Sequence, residues 1–139
     1  TNAIMYMITS GASHSVQFGL AAMYKAACDG QIDFVADTME YGRRAEKMKR
    51  LFCENGFHVV YDKDVEQPIG DGFFFTIGYP GMTSGELMRE LLYYGISSIT
   101  LNTTGSLQEG IRACTSRMTD ELFDILEQRL KAFKTDHPL

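Results

Sequence analysis

Between Asn102 and Arg112 the chain places a run of small polar residues directly ahead of a β-favouring segment that contains one arginine. Asn102-Thr103-Thr104-Gly105-Ser106 reads as a loop, and Gly110 to Thr115 reads as a short strand. Loops held between strands are where ligand contacts gather, which makes Thr103, Thr104 and Gly105 candidates for a binding loop. Arg112 stands among small and apolar residues. A guanidinium fixed on a strand can offer a rigid two-pronged fork to a carboxylate. Spacing alone leaves a second reading open, an exposed or ion-paired strand arginine.

Other chemistries have weaker footing. His14, His58 and His137 lie far apart, none with an acid or cysteine at ligand spacing, so no metal site is expected. His58 alternates with apolar residues and is expected at or near the surface. The chain has no Gly-x-Ser-x-Gly elbow and no phosphate loop ending in Lys-Ser or Lys-Thr. Thr9 to Ser15 is small and polar ahead of a helix. It could meet an anion with free N–H groups or simply cap the helix. The basic group Arg43, Arg44, Lys47, Lys49 and Arg50 lies mostly off its helix's apolar stripe, which fits a solvated face or a phosphate contact.

The elements that must position these residues follow from periodicity. Ile4 to Ile8 is expected as a short strand. Ser13 can cap a helix with Val16, Leu20, Met23, Tyr24 and Ala27 inward, ending at Asp29-Gly30. A longer helix is expected from Asp33 to Asn55, its stripe being Phe34, Thr38, Tyr41, Ala45, Met48 and Phe52. Asn55-Gly56 supplies its left-handed stop. Strands are expected at Phe57 to Tyr61 and Gly72 to Gly78, with a loop at Pro68 to Asp71. Thr83 and Glu86 have the spacing of a capping box, opening a helix through Leu91 and Leu92 that stops at Gly95. Ile96 to Leu101 is another strand. Thr119 caps a last helix with Leu122, Phe123, Leu126, Leu130 and Phe133 on one side. This order predicts an α+β two-layer domain, a small sheet covered on one face by helices.

With 139 residues, one compact domain is the natural expectation. A hydrophobic content of 45% excludes a disordered chain, and a net charge of -5 with scattered basic residues argues against nucleic acid as a partner. Three widely spaced cysteines fit reduced thiols in a cytoplasmic protein rather than a disulfide framework. No stretch has the length to span a bilayer, and Ile4 to Ile8 is too short and lacks the basic flank of a signal segment. Thr1-Asn2-Ala3 carries no pattern and is set aside.

Several segments together resemble one family. Gly72-Phe73-Phe74-Phe75-Thr76-Ile77-Gly78-Tyr79-Pro80 is similar to the "G-G-F-F-hydrophobic…P" strand in the small domain of class I/II aminotransferases, fold-type I pyridoxal-phosphate enzymes. Tyr94-Gly95-Ile96-Ser97 resembles that family's turn into a strand. Thr103-Thr104-Gly105-Ser106 and Gly110-Ile111-Arg112-Ala113-Cys114 resemble its loop and its "G-x-R-h-x-h" strand. Ser13-His14-Ser15-Val16-Gln17 resembles the helix start that follows the cofactor lysine.

The resemblance implies a mostly antiparallel sheet and a C-terminal small domain at 31–139. Residues 1–30 would pack on an N-terminal large domain or a second subunit. Arg112 falls on the arginine that grips the substrate α-carboxylate. The parent would use pyridoxal 5'-phosphate to transfer an amino group between an amino acid and a 2-oxo acid, usually as a homodimer. Its Schiff-base lysine lies upstream in the family, and none of the lysines here matches that motif. The fragment would hold no cofactor and be inert alone. Two alternatives stand beside it: a free-standing α+β ligand-binding or assembly module, and the small domain of a related pyridoxal-phosphate lyase or synthase. A free-standing module gains weight if residues 4 to 30 pack firmly into a core of their own.

Overall fold

A computed structural model of the chain describes residues 2–70 and 72–139. Thr1 and Asp71, read above as part of an unpatterned start and of a loop, lie outside the described residues. The chain divides into two compact units, one up to Thr38 and one from Met39 to Leu139.

The first unit is helical. Helix α1 covers Asn2–Thr9, so the strand expected at Ile4 to Ile8 is corrected. A five-residue apolar run suits either element by pattern, and Ala3, Met5 and Met7 favour helix. Helix α2 covers His14–Cys28, with Ser13 at its N-cap position. The Ser13 hydroxyl does not cap the backbone but meets the Ser15 hydroxyl at 2.9 Å. None of the positions read as inward on α2 is buried, and Phe18 is 77% exposed. Edge-to-face contact between Tyr24 and Phe34 and a Lys25–Asp29 ion pair are its main side-chain contacts.

Helix α3, Phe34–Glu54, runs from the first unit into the second. Asp33 accepts the Ala36 N–H at its start. Ala45, Met48 and Phe52 of the expected stripe are buried, joined by Leu51, while Thr38 stays exposed. The stop is as read: Gly56 takes φ 92°, a backbone angle open to glycine.

The second unit is α+β. A four-stranded antiparallel sheet has the order β1-β4-β6-β5, from His58–Val59, Phe74–Gly78, Ile111–Cys114 and Ile99–Thr100. A separate hairpin, β2 (Lys63–Asp64) with β3 (Gln67–Pro68), is absent from the sequence reading. Its turn uses Val65 at φ 55° in place of the usual Asn-Gly, and Pro68 argues against a strand, so the signals for a hairpin are missing.

Helix α4, Ser84–Tyr93, begins with the expected capping box, both halves formed. It ends at Tyr93, but the Ile96 N–H, expected in β5, closes its C-terminal turn by bonding to the Leu91 carbonyl. Only Ile99–Thr100 then remains for the strand, and Leu101–Thr104 forms a 3-10 turn. Helix α5, Asp120–Asp136, follows Thr119, whose side chain makes no cap bond. Asp120 and Glu121 in the first turn instead favour the helix dipole.

Phe75 and Ile77 of β4 and Ile111 and Ala113 of β6 pack with residues of α3, α4 and α5 into one buried cluster. Phe57, Tyr79, Tyr94 and Phe133 form a knot of rings inside or against it, edge-on except for the tilted Phe57–Phe133 pair. The residues that alternate with the buried strand residues, Phe74, Thr76, Arg112 and Cys114, belong to the opposite, more open face of the sheet and are exposed or half-buried.

Candidate functional site

Strand pleating sends alternate side chains to opposite faces. Because Ile111 and Ala113 enter the core, Arg112 must stand on the open face. It lies across from Thr76 on β4 and Ile99 on β5, so its backbone is held between two strands. The Ser98 hydroxyl also donates to the Arg112 carbonyl at 2.6 Å. The guanidinium carbon sits 4.2 Å from the centre of the Phe74 ring. Phe74 is a diagonal neighbour, the pair register being Phe74 with Cys114 and Thr76 with Arg112. Stacking on a ring uses the flat face of a guanidinium and leaves its in-plane N–H donors directed outward.

Arg112 is half-buried, yet among the described residues no Asp or Glu pairs with it. The basic group on α3 is different. Arg43 and Arg44 both hold Glu40 at 2.8 Å, and Lys47 lies 3.7 Å from Asp120. Those two guanidinium groups keep the Glu40 carboxyl down at about 2, the Arg43 bond contributing most. These cations already have anions, so the phosphate-contact reading of that cluster gains nothing from the structure. Arg112 has the Phe74 ring against it and, among the described residues, no acid.

Beside Arg112 a cavity of about 420 Å³ opens at the β5 edge of the sheet. Its walls are α5 (Leu122, Ile125, Leu126, Arg129), α3 (Met48, Phe52), the segment Gly95–Ile99, and Phe74 with Ile111–Cys114. The Arg129 guanidinium reaches across and donates to the Gly95 carbonyl at 2.7 Å. Gly95, at φ 70°, makes room: a Cβ there would stand 2.9 Å from Arg129 Nη1. Among the described residues neither an acid nor a lysine lines this cavity.

The candidate loop lies elsewhere in its own contacts. Thr103 Oγ1 meets Thr100 Oγ1 at 2.9 Å, and Thr104 Oγ1 donates to the Leu101 carbonyl at 2.7 Å. Gly105 takes a left-handed conformation that closes the 3-10 turn. None of the three lines the cavity; the polar segment that does is Gly95–Ile99. His58 is exposed, as expected.

Arg129 was not singled out by the sequence reading. Its signal was the i, i+3, i+4 spacing of Leu122, Ile125, Leu126 and Arg129, a second apolar edge on α5 beside the main stripe. All three cysteines are exposed and free of disulfides. Among the described residues no cluster of acids, histidines and cysteines could hold a metal ion, and no helix is long and apolar enough to cross a membrane. No family model matches the chain, and comparison with curated proteins gives no significant match.

Proposed function

We propose that this chain is the small domain of a pyridoxal-phosphate-dependent aminotransferase, and that Arg112 clamps the α-carboxylate of the amino-acid substrate. The observation that carries this reading is a half-buried strand arginine stacked on Phe74, with no acid of its own among the described residues. Such a group is preorganised for an external carboxylate and needs no internal salt bridge broken first.

The residues around Arg112 do not fit the cofactor itself. The cations beside it are arginines, and no lysine lines the cavity to form an imine with an aldehyde. In this reading the cofactor, its lysine and the proton transfers belong to a large domain. The small domain orients the carboxylate and closes the site against water. The chain alone would have no transaminase activity.

A core within residues 4 to 30 would favour the free-standing-module reading, and no residue of α2 is buried. Exposed Val16, Phe18, Leu20 and Tyr24 suit burial against a large domain or a second subunit. The test is the coding frame upstream of Ile4. A frame that continues through a domain on the order of 200 residues and carries a Schiff-base lysine supports the proposal. A start codon at that point overturns it.

A further inference from the structure

The carboxylate clamp uses Arg112 but not the cavity next to it. At about 420 Å³ that cavity has the size of a small-molecule site. Met48, Phe52, Leu122, Ile125 and Leu126 give it an apolar wall, and its charged lining residues are Arg112 and Arg129. Arg129 is exposed and tethered to the Gly95 carbonyl, which holds its charge at the water-facing side. In a chain of net charge -5, a cavity lined by two cations and, among the described residues, no acid suits a negatively charged ligand with an apolar body.

We infer that this cavity receives the apolar side chain of the acid whose carboxylate Arg112 holds. The ligand class is then a monocarboxylic acid with an aromatic or branched aliphatic side chain, and the inference rests on the clamp reading above. A second carboxylate would have to shed its water against Phe52 and Leu126, so dicarboxylates are disfavoured. Ile125 and Leu122, both partly exposed on α5, are the specificity-determining positions.

The experiment follows the Ile125 and Leu122 methyl resonances of the whole chain during titration with 3-phenylpropanoate, 4-methylpentanoate, glutarate, acetate and the neutral 3-phenylpropanol. The expected result is saturable binding of the first two, at least about tenfold tighter than acetate or glutarate. Ile125→Trp, which fills the cavity from a partly exposed helix position, should erase that advantage and leave acetate unchanged. Leu122→Gln should weaken it without touching the core. Equal binding of acetate, glutarate and 3-phenylpropanoate, all lost in Arg112→Gln, would overturn the cavity inference and leave the clamp standing. Equal binding of 3-phenylpropanol and 3-phenylpropanoate, unaffected by Arg112→Gln, would remove the clamp and the inference together.

Discussion

The two faces of the sheet are built by the same few strand residues, taken alternately. On one side Phe75, Ile77, Ile111 and Ala113 meet three helices and are buried. On the other, Phe74 and Cys114 are exposed, while Thr76 and Arg112 are half-buried. The covered face holds the fold together. The open face carries a cation whose position the strands fix but whose charge the described residues leave unneutralised. An antiparallel sheet tolerates this division because one solvated face costs it little.

Substitutions on the two faces should therefore fail differently. Phe133 is fully buried and touches Phe57, Tyr79 and Tyr94 within 5.1–5.4 Å between ring centres. Phe133→Ala should cost about 3–5 kcal/mol in urea unfolding. A loss under 1 kcal/mol would mean the ring knot is not the core. Thr83→Ala removes the hydroxyl that accepts the Glu86 N–H and helps hold the Glu86 carboxyl below its usual range. That should cost about 1 kcal/mol by the same measurement. Arg112→Gln gives up only the stacking on Phe74, so its stability cost should stay below about 1 kcal/mol. A larger cost would show that Arg112 belongs to the covered face's work after all.

The smallest effect lies on neither face. Glu40 is lowered from 4.5 to about 2 by Arg43 and Arg44. Because the folded value is the lower one, its contribution is complete above the ordinary carboxylate range and is lost as pH falls toward 2. The melting temperature of the native chain should exceed that of Glu40→Gln at pH 6, and the gap should close between pH 4.5 and 2.

The elements followed where their signals were mechanical: Thr83 with Glu86 had a spacing with one meaning. Ala45, Met48 and Phe52 of the α3 stripe are buried, whereas Thr38 of that stripe and every position read as inward on α2 are not. Ile4 to Ile8 failed because five apolar residues fit a helix as well as a strand. The Lys63–Pro68 hairpin was hidden by a turn built on Val65, and β5 was overestimated because α4 keeps its last hydrogen bonds through Ile96. At the site, spacing on β6 left Arg112 open between a binding residue and an ordinary strand arginine, and the family resemblance singled it out. What sequence could not supply was that no acid among the described residues pairs with it, since that depends on packing across strands. Arg129 left only its helical spacing as a signal, because its relation to Gly95 spans two elements.

Following the Arg112 Nε–Hε resonance of the intact chain during titration with pyruvate, against chloride at equal ionic strength, tests the clamp most directly. The account predicts a saturable shift with pyruvate, accompanied by a shift at Ile99 across the strand pair, and neither with chloride. Linear, identical responses to both salts would contradict it, because Arg112 would then be an ordinary solvated arginine.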